Sequence, residues 1–165
     1  MTIVARATPG GYCIFCDDIR HEVNGKFSLI GVYGGELYPL GPYPLVLPKL
    51  CILIHYFQRI EDGFQDTKIR ARLIGGVEEV SLFEMLISAS DLQNTPFPEK
   101  PADPEAEPML SLQVPLEFPH IVIAQPGRIR VDAYRGDDQI KLGTLKLSPP
   151  PSQNGLPEPR PTEPV

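Results

Sequence analysis

The sequence predicts an all-β domain, an antiparallel β-sandwich of about seven or eight strands in an Ig-like or C2-like arrangement. Three observations lead there. Proline supplies 20 of the 165 residues and clusters at 39–48, 96–108 and 149–164, where it excludes long helices. Apolar residues fall in short runs that alternate with period two or stay continuous over a strand's length. Asn24-Gly25 separates two apolar-containing runs, the pattern of a tight hairpin whose turn residues tolerate positive φ.

The first hairpin runs through YCIFCDDIRHEVNGKFSLIGVYGG, residues 12–35. A two-residue loop would mix polar and apolar side chains on each face. A three-residue loop pairs Glu22 with Lys26 and Arg20 with Ser28, and gathers Ile19, Phe27 and Leu29 on the other face. The second register sorts the faces and is the one predicted. The ELYPLGPYPLVLPK segment follows, with four prolines in 39–48, and reads as an extended connection. KLCILIHYF, 49–57, is almost continuously apolar and reads as a central strand buried on both faces.

TKIRARLI, 67–74, alternates: Thr67, Ile69, Ala71 and Leu73 on one face, Lys68, Arg70 and Arg72 on the other. That is a half-exposed strand. The stretch 77–92 fits both periods; strand neighbours favour a strand. Residues 95–108 form an acidic, proline-rich loop predicted to be exposed and flexible. In MLSLQVPLEF, Leu110, Leu112, Val114, Leu116 and Phe118 point inward and Pro115 outward, which marks an edge strand or a bulge. Residues 127–147 form a second hairpin around Arg135–Asp138. There Ile129, Val131 and Ala133 oppose Ile140 and Leu142, and Gly143 shifts the phase so that Leu145 and Leu147 stay inside. The domain thus spans 11–148, and 149–165 reads as a proline-rich disordered tail.

FCDDIRHEVNGKFSLIGVYGGEL, LPKLCILIHY and PGRIRVDAYRGDDQIKLGTLKL together resemble a family of small uncharacterised bacterial proteins. Its members carry a Cys-Asp-Asp-aliphatic-Arg-x-Glu segment, a Gly-Lys turn and a Ser-Leu-Ile-Gly-x-Tyr strand, a domain of unknown function. The resemblance covers roughly residues 12–147 and is specific at the first hairpin. It implies a bacterial protein with an all-β, sandwich-like domain, and no activity.

Composition narrows the function. The net charge of −6 argues against a general nucleic-acid binder, so nucleic acid is not the expected partner. Three cysteines, Cys13, Cys16 and Cys51, do not make a disulfide framework. MTIVARATPGG lacks a signal-peptide core, and the run LCILI is too short to span a bilayer. The expected setting is cytoplasmic, with no membrane and no cofactor.

The polar residues offer several sites, each with a structural counterpart. Asp17 and Asp18, with Asp137 and Asp138, would be the acidic ligands of a divalent cation if several loops converged. Asp17, Asp18 and His21 would serve a metal-dependent or hydrolytic enzyme only if a bulge turned both carboxylates into one pocket, because strand neighbours face opposite ways. The structural reading is a strand interruption, with Asp18, Arg20 and Glu22 in a ladder. Cys13 and Cys16, three apart on a strand, cannot share a metal and read as buried thiols. His55, in an apolar strand, reads as a hydrogen-bonded structural histidine.

Lys68, Arg70 and Arg72, extended by Arg128 and Arg130, form a basic stripe; anion or nucleic-acid binding requires that no acidic residues neutralise it. Arg135-Gly136-Asp137 reads as a turn rather than an adhesion signal. The Tyr38–Pro44 segment, with Tyr38 and Tyr43, is either an aromatic recognition surface or a cover over one end of the sandwich. No convergent catalytic set emerges. The leading expectation is a non-enzymatic binding or assembly module that meets another protein through a sheet face, an edge or the Tyr/Pro segment.

Overall fold

The computed structural model describes residues 9–94 and 108–150. The predicted loop 95–108, apart from Pro108, and the tail from residue 151 lie outside the described residues. The elements are β1 (Gly10–Cys16), β2 (Asp18–His21), a 3-10 turn (Val23–Gly25), β3 (Phe27–Ile30), β4 (Glu36–Leu37), β5 (Leu45–Arg59), β6 (Thr67–Gly75), β7 (Glu78–Ile87), α1 (Ala89–Gln93), β8 (Met109–Ile123), β9 (Gly127–Arg135) and β10 (Asp138–Leu147).

The all-β class is as expected. Two sheets, ordered β1-β5-β8 and β4-β10-β9-β6-β7, close on one core, and β2-β3 form a separate hairpin. Ten strands replace the expected seven or eight for two reasons. The first strand breaks at Asp17 into β1 and β2, and the short β4 pairs with β10. That β4–β10 pair is parallel (Glu36 beside Lys146), the one departure from antiparallel pairing among the described strands.

β5 explains its own apolar run. Leu50, Ile52, Ile54 and Tyr56 face the main core, opposite Ile69, Ile129, Val131 and Leu145 from the other sheet. Cys51 and Leu53 point the other way, into a second cluster with Cys16 and Ile19, flanked by Phe27 and Leu29. The β2–β3 hairpin therefore lies on the outer face of the three-stranded sheet and buries a surface that would otherwise be wet. Both faces of β5 lose water, so no polar alternation survives from Leu50 to Ile54.

The hairpin register is the three-residue one. Arg20 lies opposite Ser28, Ile19 opposite Leu29, and the Glu22 amide donates to the Lys26 carbonyl at 2.8 Å. Asn24 and Gly25 take φ of 63° and 70°, a backbone that only Gly and Asn adopt at small cost. The phase shift at Gly143 is a bulge at Leu142, which keeps Leu142, Leu145 and Leu147 inside.

Three boundaries differ from the sequence reading. β5 starts at Leu45, before Pro48, because the pairing with β8 skips Pro48 and His120 and resumes on either side. His120 takes φ of 55° there, and β8 continues to Ile123. The ambiguous stretch is a strand only as far as Ile87. A one-turn helix follows because the Ser88 hydroxyl accepts the Asp91 amide at 3.1 Å, and Asp66 accepts the Ala89 amide at 2.8 Å. β8 is an edge strand, as Pro115 requires. Among the described residues no helix is long and apolar enough to cross a membrane.

Candidate functional site

The two adjacent aspartates do not share a pocket. Asp17 occupies the break between β1 and β2, where its amide donates to the Ile30 and Gly31 carbonyls at 3.0 and 3.2 Å. Its carboxylate accepts the Tyr33 hydroxyl at 2.5 Å and fills the space where a Cβ on Gly31 would lie. Gly31 also takes φ of 66°, so the site demands glycine twice over. Burial and the Asp17 carboxylate push the Tyr33 hydroxyl well above the usual tyrosine range.

Asp18 turns elsewhere. It meets Lys49 Nζ at 2.5 Å, and Lys49 also meets Glu117 at 2.7 Å. The lysine thus ties the hairpin to β5 and β8, and it holds the Asp18 carboxyl below its ordinary value. Arg20 approaches Asp18 at 3.8 Å, whereas Glu22 accepts the Ser28 hydroxyl, so only half of the expected ladder forms. His21 packs edge-on against Phe27 at 5.1 Å. The break at Asp17 sends the two carboxylates to separate partners, Tyr33 and Lys49, and leaves His21 against Phe27, so it does not turn Asp17 and Asp18 toward one pocket. Asp137 and Asp138 sit at the far β9–β10 turn, and no metal-ligating group of three forms among the described residues.

The thiols divide as the spacing required. Cys13 faces the main core and Cys16 the outer cluster, opposite Cys51 across the strand pair. Burial pushes Cys13 to about 12 and Cys16 to about 11, so both stay protonated and unreactive at neutral pH. His55 bridges two strands, with Nδ1 at 2.7 Å from the Tyr12 hydroxyl and Nε2 at 2.6 Å from Ser111 Oγ. This serine–histidine–tyrosine chain lies on an open sheet face and is a surface tie between β1, β5 and β8.

The basic stripe does assemble. β6 pairs with β9, which sets Arg72 opposite Arg130 and Ile74 opposite Arg128 on the outer face of the five-stranded sheet. Its required condition fails, because acids run through it. Glu84 pairs with Lys68 at 3.1 Å and with Arg70 at 2.9 Å. Glu79 meets Arg72 at 2.9 Å, and Asp132 lies between Arg72 and Arg130 at 2.5 and 3.0 Å. Among the described residues, Arg128 has no ion pair. Arg135 is buried and donates to the Asp62 and Gly63 carbonyls, so of the RGD tripeptide only Gly136 and Asp137 are exposed at the hairpin tip.

The Tyr/Pro segment is the site that remains open. It folds over the β5 start to make a cleft of about 510 Å³, walled by Tyr33, Glu36, Tyr38, Leu40 and Val46 over Pro39, Leu45 and Leu47. Tyr38 is 68% exposed, Val46 52%, and Leu40 fully exposed at 106%. Tyr43 is not part of this wall. Its hydroxyl donates to the Ser148 carbonyl at 2.8 Å and fastens the segment to the end of β10.

Glu36 anchors the other side, accepting Lys146 Nζ at 2.7 Å, the Tyr38 hydroxyl at 2.8 Å and the Ser148 hydroxyl. These donors hold its carboxyl down to about 2, from an ordinary 4.5. A depressed folded-state pKa stabilises above the unfolded value and is lost as pH falls through the folded one. The β4–β10 tie should therefore be intact above pH 4.5 and weaken toward pH 2. Thermal melts across that window should show a pH-dependent loss that Glu36→Gln reduces; identical profiles for the two proteins would refute the anchor.

The sequence marked the Tyr38–Pro44 segment, which contains Leu40 without singling it out, and did not mark Val46 or Glu36. The available signal was Leu40 itself, an apolar residue between Pro39 and Gly41 with no periodic partner. No protein-family model matches the chain, and no curated protein sequence matches it.

Proposed function

We propose that this protein is a non-enzymatic binding or assembly module that engages a partner protein through the Tyr/Pro cleft. The observation that carries the reading is Leu40, fully exposed beside Tyr38 and Val46 in a concave apolar surface. Exposed apolar side chains grouped around a recess mark docking surfaces more strongly than scattered ones do. The polar candidates support it by contrast, since Asp17, Asp18 and most of the basic stripe are occupied by partners within the chain. Membership of the small uncharacterised bacterial family, suggested by the first hairpin, and a cytoplasmic setting, suggested by three free thiols, belong to the same proposal.

The test is affinity capture from a bacterial lysate with the full chain as bait, beside Leu40→Asp and, as a control on another surface, Arg128→Ala. A partner held by wild type and Arg128→Ala, and weakened about tenfold or more by Leu40→Asp, is the expected result, since a central apolar anchor contributes about 2 kcal/mol. Equal capture by Leu40→Asp, or no partner at all, would remove the reading.

A further inference from the structure

We propose that residues 151–165 of this same chain, PSQNGLPEPRPTEPV, are a ligand of the Tyr/Pro cleft and dock there in cis. The proposal rests on reading the cleft as a binding surface and names one occupant for it. The first ground is where the chain leaves β10. Ser148 donates its amide to the Leu37 carbonyl at 3.1 Å and its hydroxyl to Glu36, and its carbonyl accepts Tyr43. Glu36 and Leu37 both line the cleft. Residues 149 onward therefore start at its lip.

The second ground is chemical fit. The segment carries five prolines in 15 residues, with Leu156 among them. Proline-rich chain favours the polyproline II form, which surrenders little entropy on docking and lays proline rings against aromatic-lined grooves. The cleft offers Tyr33 and Tyr38 with Pro39 and Leu40, apolar faces of that kind. Both tyrosine hydroxyls are engaged with Asp17 and Glu36, which fixes the rings.

The third ground is reach. Leu156 stands eight residues past Ser148, a span of about 25 Å in polyproline II, ample for a groove beginning at the exit point. A tether this short gives an effective concentration of about a millimolar, so even a weak intrinsic affinity would keep the cleft largely occupied. A partner protein would then have to displace the segment, which makes it a built-in competitor.

The experiment is nuclear magnetic resonance on the full chain. Expected are through-space contacts from Tyr38 ring and Leu40 methyl protons to Leu156 and the prolines at 157, 159 and 161. They should be unchanged on tenfold dilution and absent in Leu40→Asp. A second full-length variant, Leu156→Ser with Pro157→Ser and Pro159→Ser, should shift the Tyr38 and Leu40 signals and raise partner capture severalfold. Contacts that fade on dilution would assign the segment to a second copy and overturn the proposal. So would Tyr38 and Leu40 signals identical in wild type and the triple variant. In that last case, capture that still depends on Leu40 would leave the binding-module reading standing. Cis contacts without any captured partner would remove that reading alone.

Discussion

Asp132→Asn is expected to destabilise the fold by about 3 kcal/mol, the low end of the range for removing one member of a buried ion pair. The reason is the register of β6 and β9. Pairing sets Arg72 directly opposite Arg130, and the carboxylate of Asp132, fully buried, bonds both guanidiniums, while Glu79 reaches Arg72 alone. Arg72 is itself only 12% exposed, so water cannot take over when the negative charge goes. Asparagine keeps the shape and removes the charge, which isolates the electrostatic part. Urea unfolding of both proteins measures it, and adding Arg130→Gln should recover part of the loss because the arginine repulsion is relieved. A loss under about 1 kcal/mol would place the trio with ordinary surface pairs and refute this account.

The second large effect lies on β5. Ile52→Ala, in the main core, is expected to cost about 3–4 kcal/mol, and Leu53→Ala, on the opposite face, about 2–3 kcal/mol. The difference follows from what surrounds each. Ile52 is fully buried between two sheets, whereas Leu53 keeps 8% exposure beneath a short hairpin that can settle into the space. Val46→Ala, on the exposed part of the same strand, should change stability by less than about 0.5 kcal/mol. Thermal or denaturant unfolding decides. A Leu53→Ala cost close to that of Val46→Ala would mean that the β2–β3 hairpin does not seal the outer face.

Those two residues also show what the sequence carried. The unbroken apolar run of β5 reported burial on both faces, and the Glu22–Lys26 turn reported its register, because both are set by neighbours within a few residues. The alternation of β6 and the shift at Gly143 were legible for the same reason. Asp132 was not. Its partner Arg72 is 60 residues away, and nothing local distinguishes it from an exposed strand aspartate. The early start of β5 was hidden because Pro48 mimics a boundary; opposing irregularities at Pro48 and His120 let the ladder pass it. The candidate site was half legible: tyrosine and proline marked the segment, but the concavity depends on Val46 and Leu47 contributed by β5 and on Glu36 fastened to Lys146.

Two of the four outer strands of the two main sheets, β8 and β7, bear on how the molecule behaves in a crowded solution. β8 carries Pro115 and Pro119, each lacking the N–H that an incoming strand would use. β7 begins with Glu78 and Glu79 and breaks its ladder with a bulge at Leu82, which twists and charges the free side. Neither margin offers a flat, continuous row of donors and acceptors. Along these two margins the sandwich is thereby guarded against growing sheet to sheet into aggregates, even though two-thirds of its described length is strand.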